Sequence, residues 1–205
     1  ISGVPGVDPA DIVIIGGGVV GTNAAKMAVG MGAKVMIFDR SLARLRYLDD
    51  LFGGAVTTRY STAETLRKAV LRADMVVGAV LIPGASAPKL IQRSMLADMK
   101  TGSVLVDVAI DQGGCAETSR PTTHEDPTYV IDGVVHYCVA NMPGAMRRTS
   151  SEALNNATLP HVMALANKGI AALDDDEHLA RGLNVNKGEL VHPAVKEALS
   201  SLSAA

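Results

Sequence analysis

Three glycines and two acids hold most of the chemistry this chain could do. Gly16, Gly18 and Gly21 are spaced G-x-G-x-x-G directly after the apolar run Asp11-Ile12-Val13-Ile14-Ile15 and just before the small-residue stretch Asn23-Ala24-Ala25-Lys26-Met27-Ala28. Asp39 closes a second apolar run, Lys34-Val35-Met36-Ile37-Phe38. Strand, glycine turn, helix, strand and an acid about 20 residues on is the order a dinucleotide-binding βαβ unit needs. Gly16 permits a tight turn out of the strand, having no Cβ to clash. Gly18 lets backbone approach a pyrophosphate, and Gly21 lets the following helix lie near the sheet. That helix, expected over 19–30, opens at Val19 and Val20 and aims its unpaired N–H groups and positive dipole end at the phosphates. A carboxylate at 39 accepts hydrogen bonds from the adenosine ribose hydroxyls and repels a 2′-phosphate, which favours NAD over NADP. Arg40 and Arg44 stand close to that acid; they read as a solvated helix start somewhat more readily than as a phosphate site. The second acid, Asp111, lies in the glycine-rich run Asp107 to Gly114.

The elements that must position these residues alternate along the chain. Ser41 caps a helix on which Leu42, Leu45 and Leu48 share a face, and Gly53-Gly54 stops it. Ala55 to Tyr60 reads as a strand, and Ser61-Thr62-Ala63-Glu64 as a capping box for a helix through Arg72. Asp74 to Val80 is a strand apolar on both faces, as buried parallel strands are, ending in the turn Leu81-Ile82-Pro83-Gly84. A helix over 88–98, a strand over 103–109 and a last strand region over 128–131 and 134–139 follow. This alternation predicts an α/β fold, a doubly wound parallel (Rossmann) sheet with additional C-terminal helices. Ligands in such sheets bind beyond the carboxyl ends of the strands. Four of those exits here combine small residues with polar groups: Gly16 to Gly21, Val80 to Gly84, Asp107 to Gly114 and Val139 to Gly144.

From Thr149 the character changes. Thr149-Ser150-Ser151-Glu152 reads as another capping box, its helix interrupted near Pro160, with a second helix over 160–173. Asp174 to Glu177 reads as an acidic turn or helix start, 184–190 as a loop and 193–202 as a terminal helix. The expected division is a cofactor domain over 1–147 and a helical segment over 148–205.

Composition narrows the function classes. The 205 residues suffice for one α/β domain with extra elements. Aromatic content is 3% with no Trp, which argues against stacking platforms for nucleic acid, and a net charge of −2 argues against a general polyanion binder. No apolar run reaches the roughly 18 residues of a membrane span, and no leader pattern opens the chain, so no membrane partner is expected. Cys115 and Cys138 form no C-x-x-C pair and suggest no zinc site; both read as free thiols, Cys115, after Gly113-Gly114, as a buried filler more readily than as a reactive thiol. His124, His136, His161, His178 and His192 lack metal-ligand spacing, His136 reads as a satisfied sheet histidine, and none is assigned catalysis. No metal is expected. The chain opens without Met and meets its first core strand within a dozen residues, which reads as a fragment, a processed product or one part of a larger enzyme.

Three segments together resemble the alanine dehydrogenase family: Ile14 to Gly21, Val106-Asp107-Val108-Ala109-Ile110-Asp111-Gln112-Gly113-Gly114-Cys115, and His136-Tyr137-Cys138-Val139-Ala140-Asn141-Met142-Pro143-Gly144. The likeness continues through Ala153 to Pro160 and Gly182 to Val185. It implies reversible NAD-dependent oxidative deamination of L-alanine to pyruvate and ammonia by a cytoplasmic homo-oligomer, a hexamer. It also implies residue roles. Asp111 matches an aspartate near nicotinamide and substrate, and is the candidate catalytic residue, ordering a water or balancing the charge of a protonated partner. Its other reading is a cap on the turn at Gly113. Ile110 flanks it, while Asn141 and Met142 line the nicotinamide end. Asp39 and Arg44, with Arg40 adjoining, lie near the adenine ribose, and Ser61 on the adenine side. Val80 and Leu81 contact the cofactor's sugar and nicotinamide. The family's substrate-gripping lysine, arginine and histidine belong to an amino-terminal substrate domain outside this chain, to which the terminal helices are expected to return. The same domain type occurs in proton-translocating nicotinamide nucleotide transhydrogenase, which is the second reading; a non-catalytic NAD-binding module is the third. Arg147-Arg148 departs from the family pattern and reads as a solvated turn.

Overall fold

The computed structural model describes residues 1–80 and 87–202. The chain divides into two compact units, Ile1–Met142 and Pro143–Ala205. The first is built on a seven-stranded sheet in the order β3-β2-β1-β4-β5-β7-β6. Its strands are β1 (Asp11–Ile15), β2 (Lys34–Asp39), β3 (Val56–Tyr60), β4 (Met75–Gly78), β5 (Val104–Asp107), β6 (Thr128–Ile131) and β7 (Val134–Tyr137). All neighbours pair in parallel except β6, which returns antiparallel along β7 as an edge hairpin. The chain order reverses between β1 and β4, the switch point beside which such sheets bind ligands.

Both sheet faces are covered, so each strand supplies apolar residues in both directions. Ile12, Ile14 and Ile37 bury against helices α1 (Val19–Gly30) and α2 (Leu42–Phe52) on one face. Val13, Ile15, Phe38 and Leu105 pack on the other with Leu66 and Val70 of α3 (Ala63–Val70). The small residues Ala25 and Ala28 face inward from α1 and bring that helix close to the strands.

Local signals set several boundaries. Ser41 caps α2 by accepting the Arg44 N–H, and Gly53 ends it at φ +53°. Leu45 and Leu48 are buried there, whereas Leu42 is 67% exposed. Positions 42 and 48 lie about 120° apart around a helix, too wide for one stripe. The expected cap at Ser61 is displaced by one residue. Thr62 caps α3 reciprocally with Thr65, while the Ser61 N–H extends the strand pairing by donating to the Asp39 carbonyl at 3.0 Å. The helix expected over 88–98 shrinks to α4 (Arg93–Leu96). Residues 87–91 instead lie extended beside 112–117, their amides taken by the Gln112 and Cys115 carbonyls.

In the second unit, α5 (Arg147–Lys168) starts two residues before the expected capping box and runs through Pro160 as one helix. Proline forfeits a single bond to the carbonyl four residues back, and a long helix keeps the others. Arg147 and Arg148 therefore form the first turn of a helix, both still solvated, with Arg148 paired to Glu152 at 3.0 Å. Beyond it come α6 (Ala172–Asp175) and α7 (Glu177–Ala180), the latter capped by Asp176. The expected loop at 184–190 is a small hairpin of β8 (Val185–Asn186) and β9 (Glu189–Leu190). Its central residues Lys187 and Gly188 both have positive φ, as a primed hairpin turn requires. Helix α8 (Pro193–Leu202) follows. Among the described residues no helix is long and apolar enough to cross a membrane.

His136 on β7 gives the first unit a pH dependence. It is fully buried, with Nδ1 3.0 Å from the Val134 carbonyl and Nε2 2.8 Å from the Thr118 hydroxyl. Burial pushes its pKa below the ordinary value; Arg120 adds to this, and the Val134 carbonyl, Asp107 and Asp132 oppose it. Below about pH 6.5 the unfolded chain therefore binds a proton that the folded chain refuses, so stability is full above that pH and falls beneath it. Urea titration should give a lower midpoint at about pH 5 than at about pH 8. The difference should shrink in His136→Asn.

Candidate functional site

The sharpest geometry lies where β1 leaves the sheet. Gly16 has φ +102°, and a Cβ there would sit 2.6 Å from the Ala79 carbonyl oxygen, so the exits of β1 and β4 can touch only through glycine. A Cβ on Gly21 would sit 1.9 Å from the Gly16 carbonyl oxygen. Helix α1 thus packs against its own entry turn because position 21 has no side chain. Gly18 differs: a Cβ there meets nothing within 4 Å. Gly18 is also the N-cap of α1 and makes no side-chain cap bond. Val19 and Val20, the first two helical residues, are 78% and 45% exposed. The mouth of α1 is left with open space and a positive dipole end, which is where an anion binds.

The turn is braced from behind. Asp39 Oδ2 accepts the Gly17 N–H at 2.8 Å and Oδ1 accepts the Ser41 N–H at 2.8 Å. Arg44 Nε donates to the Gly17 carbonyl, and Nη2 donates to Thr22 Oγ1 at 2.7 Å. Thr22 in turn donates to the Gly18 carbonyl at 2.7 Å. The reading of Arg44 as a solvated helix start is therefore corrected: its guanidinium is a strut of the glycine turn, lying over the Tyr47 ring at 4.6 Å. Arg40 is exposed. Strand pairing sets Ser61 beside Asp39, and Val80, half-buried, adjoins Gly16. Leu81 lies outside the described residues.

At the exit of β5 the chain enters a short 3₁₀ turn, Val108–Gln112. Asp107 caps it by accepting the Ala109 N–H at 3.1 Å, and Gly113 ends it at φ +87°. The N-terminal cap of this turn is thus Asp107, and Asp111 stands exposed upon it. The Ile110 side chain is turned inward, 3% exposed. Asn141, past β7, is exposed and has φ +56°; its carbonyl lies 3.1 Å from Nε2 of His124. Met142 is half-buried and ends the first unit. Cys115 and Cys138 are buried, unpaired thiols. Burial pushes the Cys115 thiol far up, which leaves it an unreactive filler.

The first group, Gly16 to Gly21 with Asp39, Arg44, Ser61 and Val80, is brought together at adjacent exits of β1, β2, β3 and β4. Asp111 and Asn141 stand further along the same sheet edge, after β5 and β7. Sequence reading missed two participants. Thr22 follows the glycine motif as an ordinary helical residue, and only the fold shows its hydroxyl binding the turn. Lys89, whose ammonium donates to the Gly114 and Ala116 carbonyls at 3.0 Å, was hidden by the helix expected over 88–98. No local signal marks it: Pro88 restricts only Ala87 before it, and proline suits the first turn of a helix.

Comparison with known proteins agrees with this geometry. Residues 1–193 match the family described as alanine dehydrogenase/PNT, C-terminal domain. The alanine dehydrogenase of Halomonas elongata is 64% identical over 97% of this chain, which spans 54% of that relative. A solved L-alanine dehydrogenase superposes with a TM-score of 0.91 at 57% identity, over 98% of this chain and 56% of that one. A solved transhydrogenase from Sinorhizobium meliloti has a TM-score of 0.72 at 28% identity, over 95% of this chain and 53% of that one. The chain spans about half the length of the curated relatives it matches. With its glycine turn, braced acid and strand order in agreement with that match, the chain belongs to the alanine dehydrogenase/PNT C-terminal domain family.

Proposed function

We propose that this chain is the NAD-binding portion of an enzyme that oxidatively deaminates L-alanine to pyruvate and ammonia and runs the reverse amination. The observation that carries the reading is a glycine turn braced wholly from behind, with Gly18 open and the mouth of α1 uncapped. Such a cradle fits a pyrophosphate. Backbone at Gly16 and Gly18 and the first-turn amides of Val19, Val20 and Gly21 would hold it. Each Asp39 oxygen accepts one backbone N–H and keeps a lone pair for a ribose hydroxyl. Arg40, Arg44 and Ser61 flank the adenosine side. Val80, with Ile110, Asp111, Asn141 and Met142, flanks the nicotinamide side. Bound NAD supplies the hydride acceptor; the protein supplies position and charge. Asp111, exposed on its turn, would order a water or balance a protonated partner.

In this reading residues 148–205 belong with a substrate domain. The 205-residue chain alone then binds NAD and turns over little or no alanine, and the complete enzyme is a cytoplasmic homo-oligomer, a hexamer. The 28% identical transhydrogenase supports a transhydrogenase-type nucleotide domain more weakly than the 57% identical dehydrogenase supports the first reading.

Calorimetric titration with NAD and with NADP tests the proposal. The wild type should prefer NAD. Asp39→Ala loses both the repulsion of a 2′-phosphate and the acceptor for the Gly17 amide, so NAD affinity should fall about tenfold and the NAD-over-NADP ratio by at least about tenfold. Asp39→Asn keeps an acceptor oxygen, so its ratio should shrink with a smaller loss of NAD affinity. A wild type that prefers NADP, or a ratio untouched by both substitutions, would refute the assignment.

A further inference from the structure

Residues 87–91 are laced to 112–117 by backbone bonds. The Ala87 N–H donates to the Gln112 carbonyl at 2.9 Å, the Leu90 and Ile91 N–H groups to the Cys115 carbonyl at 2.8 and 3.1 Å, and the Glu117 N–H to the Ile91 carbonyl at 2.9 Å. Lys89 sits in the middle of this lacing. Its ammonium donates to the carbonyls of Gly113, Gly114 and Ala116, the latter two at 3.0 Å. An ammonium has three donors, and one turn takes all of them. The other side of that turn meets a carboxylate. Fully buried Asp107 accepts the N–H groups of Cys115 at 2.8 Å and Ala116 at 3.3 Å, together with the Ser119 hydroxyl. The peptide joining Gly114 to Cys115 is thus held between a cation on its carbonyl and an anion on its amide, and the peptides beside it are each gripped by one of the two charges.

Two glycines make this clamp sterically possible. A Cβ on Gly114 would sit 2.7 Å from Asp107 Oδ2, and one on Gly78, at the end of β4, would sit 2.3 Å from Cys115 Sγ. The clamped turn is the return leg of the 3₁₀ turn that displays Asp111. A dinucleotide laid across the switch point between β1 and β4 puts its adenosine half over β2, where the bracing acid Asp39 stands. Its other half then lies over β4 and β5.

We propose that Lys89 is a positioning residue for that second half: seated on three carbonyls, it holds the 108–116 loop and Asp111 where they meet the nicotinamide end of the cofactor. The proposal rests on the NAD-binding reading above and deepens it.

ADP-ribose shares the adenosine and both phosphates of NAD but lacks nicotinamide, so titrating Lys89→Met with each ligand separates the two halves. NAD should bind about tenfold more weakly, ADP-ribose within about twofold of wild type, and Lys89→Arg, which keeps charge and donors, should recover most of the loss. Amide exchange at Gly113 to Ala116 should quicken about tenfold in Lys89→Met while that of β1 is unchanged. Equal weakening of both ligands, or no weakening of NAD, overturns the proposal and leaves the cofactor reading standing. A wild type that binds neither ligand overturns the cofactor reading, and this proposal with it.

Discussion

Replacing Gly21 with alanine should abolish measurable NAD binding, with an affinity loss of at least about 100-fold, or about 2.8 kcal/mol. The reason is one distance: the new Cβ would lie 1.9 Å from the Gly16 carbonyl oxygen, a backbone atom with no freedom to swing aside. Either α1 moves off the sheet or the turn opens, and both displace the first-turn amides from the pyrophosphate. Overpacking of this kind also costs about 1–3 kcal/mol of stability. Gly18→Ala is the informative partner, because its Cβ meets no protein atom within 4 Å. It should leave the urea midpoint unchanged and still weaken NAD, since its methyl would project into the space assigned to phosphate. Calorimetry and urea denaturation of the two variants separate a packing glycine from a ligand-facing one. Gly21→Ala binding NAD within about threefold of wild type would mean that the α1 mouth is not the nucleotide site.

The largest stability effect is expected from Asp107→Ala. Its carboxylate is fully buried and accepts bonds from the Ala109, Cys115 and Ala116 amides and the Ser119 hydroxyl. Truncation strands several buried donors at once, each costing about 1–3 kcal/mol, so a net loss of about 3–5 kcal/mol is expected after partial relaxation. That is a large share of the roughly 5–15 kcal/mol by which folded domains are stable. Chemical denaturation followed by far-ultraviolet circular dichroism measures it directly. Asp107→Asn should lose less, because one oxygen can still accept while the amide nitrogen faces a donor. A loss below about 1 kcal/mol for the alanine variant would show that water or repacking satisfies the stranded groups.

Much of the fold was legible wherever the deciding interactions are local. The alternation of apolar runs and glycine stops located all seven strands of the main sheet, and Gly53 ends α2 as its lack of a side chain allows. Errors gathered where a local signal competed with a distant partner. Ser61 looks like a helix cap, but its amide is taken by the Asp39 carbonyl on the neighbouring strand. Pro88 to Asp98 looks helical by composition, yet 87–91 gains more from pairing with 112–117. Pro160 looks like a helix break, yet α5 passes through it.

The candidate site divides along the same line. The spacing of Gly16, Gly18 and Gly21 and the acid at 39 announce a nucleotide turn, because conformational freedom and the distance along a strand and helix are properties of the chain itself. What no spacing contains is that Arg44 grips the carbonyl of Gly17, that Asp39 holds the amide of the same residue, or that Lys89 sits on three carbonyls of a turn some 24–27 residues away. Those bonds exist only once β1, β2, β4 and β5 stand side by side. A charged side chain finds its partner by proximity in space, and only the folded sheet supplies that proximity.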